Sequence, residues 1–403
     1  MKNINIESLI IDKAVSESRI TRNFLSALPD ADVRYVNNPD DEKALFLRET
    51  GSNGKRKIFL TRKRGHVLKQ CPGTDRAYRC CNYHVINQTS GCPIDCTYCI
   101  LQFYQNNPVT TVYADSANIF QEIREKVQSQ PDRFFRIGTG ELTDSLAFDN
   151  YSRFTEEIVP AFTSLPNAVL ELKTKSDNID NLLDLDHQGR VVCSWSVNPP
   201  EVVAEEEFKA AGFQERLDSM ARAQEHGFKL GLHFDPILYY SEWKNGYHDL
   251  IQLIFHTIDP DRIAWISLGS LRFPPEMKTK ITTKFPKTKI VYQELIRGND
   301  GKMRYVKPLR LELYNSVHRW IRKYGGEELF LYFCMENTEI WERVMGWAPD
   351  SNEHLDYLFA ESLYRRFPDL MTEPPRREVY ENGTPLHHEK AAEGTFVAKT
   401  RFR

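Results

Sequence analysis

The sequence predicts an α/β protein built on a partial (β/α)6 barrel, with a small N-terminal α/β domain and a C-terminal extension. Two observations carry that expectation. After Tyr83, six short runs rich in β-branched and aromatic residues follow one another: HVINQT, FFRIGT, AVLELKT, VVCSWSV, FKLGLHF and RIAWISL. Amphipathic stretches such as ANIFQEIREKV, FQERLDSMARAQEHG and GYHDLIQLIFHTI lie between them. Strand patterns alternating with helical ones imply parallel strands joined by crossover helices, and active sites of such barrels sit at the carboxyl ends of the strands.

A chain of 403 residues can hold one large core and a smaller domain. Its 41% apolar and 27% charged residues are those of a globular protein. No apolar run approaches the ~20 residues of a membrane helix, and MKNINIESLIIDKAVSESR has no basic region followed by an apolar one. The expectation is a cytoplasmic protein with no membrane partner and reduced thiols. Its eight cysteines then read as metal ligands, reactive groups or core residues.

Taken in order, residues 1–75 read as the small domain, with a helical pattern near residues 8–28 and strands at KALFLRE and KIFLTRK. Residues 76–300 carry the six barrel units. Residues 301–403 read as a helical and strand extension ending in a polar arm, EPPRREVYENGTPLHHEKAAEGTFVAKTRFR. Cys193 in the fourth barrel run and Cys334 in LFLYFC read as core residues. The net charge of −3 is unevenly spread. GKRKIFLTRKRGHVLK, residues 54–69, holds seven cations and no acid, and residues 278–310 form a second basic region. Such segments suit a phosphate backbone; a solvated surface is the competing reading.

The chemistry concentrates in SGCPIDCTYCILQ, which follows the first barrel run. Cys92, Cys96 and Cys99, spaced C-x3-C-x2-C, can wrap a compact inorganic core, and iron–sulfur clusters favour thiolates. Three ligands leave one iron of a [4Fe–4S] cluster open. Structural zinc takes four protein ligands and would need Cys71, Cys80, Cys81 or His84 as well.

The C-x3-C-x2-C spacing, with Tyr98 before the last cysteine, resembles the radical S-adenosylmethionine superfamily. The order GCPIDCTYCILQ, GTGELTDS, LKTKSDNIDNLLD, SWSVNP and DPILYYSEWKNGY is similar to that of the spore photoproduct lyases, across most of residues 83–295. The resemblance implies a [4Fe–4S] cluster on Cys92, Cys96 and Cys99, S-adenosylmethionine chelated to its open iron, and a 5′-deoxyadenosyl radical. The radical would abstract hydrogen from a DNA lesion, with an external electron donor such as flavodoxin or ferredoxin. It also puts Thr143, Lys175 and Ser196 at the S-adenosylmethionine site, where an ammonium at a strand end suits the methionyl carboxylate. GTGE is similar to the Gly-Gly-Glu element that holds the methionyl amino group, which adds Gly140 and Glu141; Asp144 is an alternative for that role. Tyr98 and Glu141 are the candidate catalytic residues, and Tyr98 is counted with the cofactor site.

Two positions depart from the lyases. The lyases carry a hydrogen-returning cysteine where this chain has Glu141, and a radical-relaying tyrosine where it has Ile100. Cys71, Cys80 and Cys81 are the nearest substitute thiols in sequence. His233, Asp235, Tyr239 and Tyr240, ending the fifth run, are expected at the substrate pocket. A DNA-lesion radical enzyme is the leading reading. A radical enzyme acting on a small molecule, peptide or protein is the alternative, and a non-catalytic iron–sulfur or zinc protein is the third.

Overall fold

The computed structural model describes residues 4–46, 51–71, 77–105 and 107–382. The six runs form the strands His84–Ile86, Phe135–Gly138, Ala168–Thr174, Val191–Ser196, Lys229–Ile237 and Ile263–Ser270. They lie side by side in that order, each parallel to the next. Leu68–Gln70 adds an antiparallel edge beyond the first strand, and Leu331–Phe333 a parallel one beyond the sixth. Helices Ser116–Gln128, Phe213–Glu225 and Trp243–Thr257 cover the sheet. They bury one apolar face each, for example Ile119, Ile123 and Val127 in the first. Strands covered on both faces carry near-continuous apolar runs, which is why they stand out in the sequence. The backbone N–H of Arg79 donates to Glu336, 2.8 Å away. The segment leading into the first strand therefore meets the chain leaving the last, and the open half-barrel is bridged laterally.

A second sheet orders Asp32–Val36, Ser8–Asp12, Lys57–Thr61, Thr110–Tyr113 and Thr89–Ser90. The helix expected over residues 8–28 is in fact strand Ser8–Asp12 followed by helix Arg19–Ala27. SLIID pairs on both sides as a central strand, and that pairing outweighs helical periodicity; Ser18 caps the helix that follows. The strand expected at KALFLRE is also corrected. Pro39–Phe46 is a helix, favoured by Pro at its first position and Asp40, Asp41 and Glu42 in its first turn; residues 47–49 lie outside the described residues. Both sheets cross residue 75, and the barrel sheet also crosses residue 300 to reach Leu331–Phe333. The expected polar arm begins as helix Arg377–Glu381, with Tyr380 buried and its hydroxyl 3.1 Å from the Phe134 N–H; residues 383–403 lie outside the described residues.

The barrel floor is polar but packed. Glu171 Oε1 accepts from Ser194 Oγ at 2.8 Å, His233 Nε2 at 2.8 Å and Trp265 Nε1 at 3.0 Å. Arg136 lies 3.9 Å from Glu171 and 3.9 Å from the Phe359 ring centroid. A Cβ on Gly138 would fall 1.5 Å from the Tyr83 hydroxyl, so only glycine allows that approach. Burial and Lys173 hold the His233 imidazole down to about 4, against the pull of Glu171. Burial and Arg133 hold His84 down to about 3.

Both histidines are thus neutral in the fold and titrate near 6.5 when unfolded. Their folded pKa values are depressed, so their contribution is complete above about pH 6.5 and is lost as pH falls toward 4. The unfolding free energy from urea titrations should therefore rise between pH 4.5 and 6.5 by a few kcal/mol, each pKa unit being worth about 1.4 kcal/mol. The rise should be shallower in His233→Gln; a profile of equal slope in the variant would contradict this account.

Candidate active site

The cysteine loop leaves the first barrel strand through Gly91, whose φ of +114° suits glycine. Its N–H donates to Leu142 at 3.0 Å, tying the loop to the turn after the second strand. Asp95–Cys96 then forms a two-residue antiparallel ladder with Glu207–Phe208, with Cys96 opposite Glu207. Gln102 in the following short helix folds back, donating to Cys96 O at 2.8 Å and Thr97 O at 3.1 Å. Cys92 and Cys99 are half-buried, Cys96 is buried, and all three are free thiols within electrostatic reach of one another. Burial and the Asp144 carboxylate push Cys92 up to about 12, with Lys55 opposing. Burial pushes Cys96 well above its ordinary value, with Lys175 opposing.

The donor set fits an iron–sulfur cluster. Metal ligation displaces the thiol protons, and Lys55 and Lys175 stand ready to offset the resulting negative charge. Among the described residues, no group of three or more His, Cys, Asp or Glu could hold a single metal ion. The thiolates of a cubane each bind a different iron.

Behind the loop lies a buried network that sequence reasoning missed. The Tyr98 hydroxyl donates to Glu207 Oε1, and Asn198 Nδ2 donates to the same oxygen at 2.9 Å. Arg216 Nη2 reaches Glu207 Oε2 at 2.5 Å, with neither side chain exposed. Arg216 Nη1 continues to Ser196 O at 2.9 Å, and the Ala211 N–H reaches Lys175 O at 3.0 Å. Burial would raise the Glu207 carboxyl; Arg216 and Lys175 reverse this and hold it below its ordinary value. Lys175 Nζ sits 5.6 Å from the Tyr98 ring centroid. Burial would lower this ammonium, but Cys96 and Glu207 raise it. The network joins the cysteine loop to the carboxyl ends of the third and fourth strands.

Gly140, Glu141, Thr143 and Asp144 occupy the turn after the second strand. Asp144 is not free to take a ligand ammonium: its Oδ1 accepts from the Leu146 and Ala147 N–H groups and from Thr174 Oγ1, and its Oδ2 accepts from the Lys175 N–H at 2.6 Å. It fixes the strand end that carries Lys175. A Cβ on Gly140 would lie 3.1 Å from Lys173 Cβ, so this glycine lets the turn press on the third strand. Glu141 is half-buried and held by Asn87 Nδ2 at 2.9 Å. Thr143 Oγ1 is buried and has no hydrogen-bond partner, an orphan that a ligand would satisfy. Ser196 is buried at the end of the fourth strand.

The remaining candidates divide. His233 belongs to the floor, bonded to Glu171. Asp235 pairs with Arg272 at 3.1 and 3.2 Å. Tyr239 is half-buried, its N–H 3.0 Å from the Tyr305 hydroxyl, and the Tyr240 hydroxyl is buried without a partner. Cys193 is fully buried, as expected of a core residue. Cys334 is instead half-buried, accepting from Arg272 Nη2 at 3.3 Å beside Asp235. Burial pushes its thiol up to about 12, so it carries its S–H at neutral pH. Cys80 hydrogen-bonds both Cys71 and Cys81 at the lateral bridge. The Cys80 bond, opposed by burial and aided by Arg136, holds Cys81 down to about 6.

The family model for spore photoproduct lyase matches residues 73–334. A spore photoproduct lyase of Geobacillus sp. (strain Y412MC61) is 25% identical over 260 residues, 62% of this chain and 76% of the relative. That of Bacillus subtilis (strain 168) is 23% identical over 259 residues, again 62% and 76% of the two chains. Spore photoproduct lyase complexed with dinucleoside spore photoproduct superposes with a TM-score of 0.71 at 20% identity, over 82% of this chain and 100% of that one. A mutant with bound AdoMet and dinucleoside spore photoproduct gives 0.70 at 20% identity, over the same shares. The expected partial barrel is the fold of these structures.

Replacing Glu207 by Gln leaves the buried Arg216 guanidinium without its counter-charge, which costs ~3–5 kcal/mol. The carboxyl is held below its ordinary value, so the stabilisation is present above pH ~4.3 and is lost as pH falls. Urea midpoints of native and Glu207→Gln chains should therefore lie far apart at pH 7 and closer at pH 3, with the convergence confined to below pH ~4.3. A gap that is absent, or equal at both pH values, would contradict the assignment.

Proposed function

The chain belongs to the spore photoproduct lyase family, a radical S-adenosylmethionine family, and we propose that it repairs a thymine-derived lesion in DNA. The observation that carries this reading is the convergence of Cys92, Cys96 and Cys99 with Lys175 and the unpartnered Thr143 hydroxyl at one end of the barrel. The three cysteines would hold a [4Fe–4S] cluster. When bound, the cluster and S-adenosylmethionine supply a 5′-deoxyadenosyl radical. Lys175 pairs with the methionyl carboxylate, its ammonium kept charged by Cys96 and Glu207. Thr143 Oγ1 and Ser196 supply hydrogen bonds, and Glu141, with Gly140 beside it, takes the methionyl ammonium. Tyr98, locked onto Glu207, positions the third cysteine rather than relaying a radical.

The substrate radical needs a hydrogen atom returned, and Glu141 has none to give readily. Cys334 is the better donor: it is half-buried, keeps its S–H, and stands beside the Asp235–Arg272 pair at the carboxyl ends of the strands. Cys71, Cys80 and Cys81 lie along the lateral bridge and are the second choice. A damaged base must leave the stack to reach this mouth, at a cost of a few kcal/mol. The exposed Arg62 and Arg64, and the hairpin of Leu295–Arg297 with Met303–Tyr305, are the basic elements assigned to the flanking backbone.

Lys175→Ala should weaken S-adenosylmethionine binding about 10- to 150-fold, the equivalent of a charge-assisted hydrogen bond of ~1.5–3 kcal/mol, with iron content unchanged. Cys334→Ala should abolish repair of a spore-photoproduct oligonucleotide while leaving S-adenosylmethionine cleavage intact. Undiminished repair in that variant would move the hydrogen donor elsewhere. No repair and no DNA affinity in the native chain would favour a small-molecule, peptide or protein substrate.

A further inference from the structure

The cysteine loop has an outer face of which the proposed chemistry uses only Lys55. Asp95, next to Cys96, accepts three ammonium groups: Lys55 at 2.6 Å, Lys284 at 2.8 Å and Lys209 at 2.9 Å. Three cations on one carboxylate leave the face positive, and together they hold Asp95 ionised against burial. Glu207, the other acid on this ladder, is buried and matched by Arg216, and Glu206 beside it is buried and hydrogen-bonded to Thr97 and Thr288, which leaves the exposed Glu205 against the cluster of lysines. Apolar surface adjoins the lysines. Phe208, 43% exposed, is the ladder partner of Asp95 and stacks on Phe285 at 5.6 Å. Lys280 reaches Gln102 O at 3.4 Å across to the short helix that carries the 55% exposed Tyr104. An aromatic centre ringed by cations has the anatomy of a protein interface more than that of a phosphate track.

Beneath it, Cys96 is one residue from Asp95 and directly paired with the residue before Phe208. Electron transfer weakens steeply with distance, so a donor to a cluster held by Cys96 gains by docking on surface that lies one residue from that ligand.

We propose that this face, built from Lys55, Lys209, Lys280, Lys284 and Phe208, docks an acidic one-electron carrier protein. The proposal rests on the reading of Cys92, Cys96 and Cys99 as cluster ligands. A carrier holding a flavin hydroquinone would be oxidised to the semiquinone, losing one electron and one proton. The electron passes to the cluster and the proton to solvent. Complementary charge would speed encounter and be screened by salt.

The test uses the reconstituted full-length protein, Lys209→Gln/Lys284→Gln and, as a second variant, Lys280→Glu. S-adenosylmethionine cleavage is driven either by dithionite or by reduced flavodoxin, and flavodoxin affinity is measured by calorimetry at low and high salt. The expected result is an unchanged dithionite-driven rate in both variants. The flavodoxin-driven rate and the affinity should each fall at least tenfold in the double variant and several-fold in Lys280→Glu, and added salt should weaken native binding. Equal loss with both reductants, or no loss with flavodoxin, would overturn the proposal. So would a fall in duplex-DNA affinity with flavodoxin-driven turnover intact, which would assign the face to nucleic acid. No dithionite-driven cleavage by the native chain would overturn the cluster reading itself, and the docking face with it.

Discussion

The site depends on one buried ion pair. Glu207 and Arg216 face each other at 2.5 Å with no exposed side-chain surface, and removing either partner would leave an uncompensated buried charge. Each is also shared. Glu207 takes the Tyr98 hydroxyl and the Asn198 amide and pairs through the backbone with Cys96. Arg216 holds the carbonyls of Ser196 and Ala211. A loop carrying three thiols has little apolar content of its own to fix it on a barrel. This pair supplies the missing restraint, and it does so from helix Phe213–Glu225 and the strand before it, elements of the rigid scaffold.

The same pair sets the electrostatics. Without metal, the half-buried Cys92 and buried Cys96 thiols hold their protons, and ligation of a cluster would replace those protons with iron. Lys55 and Lys175 lower the cost of the thiolates, while Glu207 keeps Lys175 charged in a site where burial would discharge it. Asp144 completes the arrangement by spending all its bonds on the Lys175 strand end and its own turn. The ammonium is thus placed by one acid and kept ionised by another.

Much of this was legible in the sequence. The six barrel strands are buried on both faces, so their apolar runs announce themselves, and all six occupy the expected places in order. The cysteine spacing is equally local. The misses share a cause: they depend on partners distant in sequence. SLIID reads as part of a helix until Asp32–Val36 and Lys57–Thr61 flank it. The acidic run Glu205–Glu206–Glu207 goes unnoticed in the sequence, because nothing local shows that Thr97, Thr288, Tyr98 and Arg216 will enclose its last two members. Cys334 reads as core because LFLYFC is apolar; Arg272 and Asp235, which give it a polar neighbourhood, come from another part of the chain.

The central claim is that three cysteines leave one iron for S-adenosylmethionine, and electron paramagnetic resonance of the reduced, anaerobically reconstituted chain tests it most directly. The account predicts a [4Fe–4S] signal that shifts when S-adenosylmethionine is added and is lost in Cys96→Ala. A cluster signal indifferent to S-adenosylmethionine, or one that survives loss of Cys96, would contradict it.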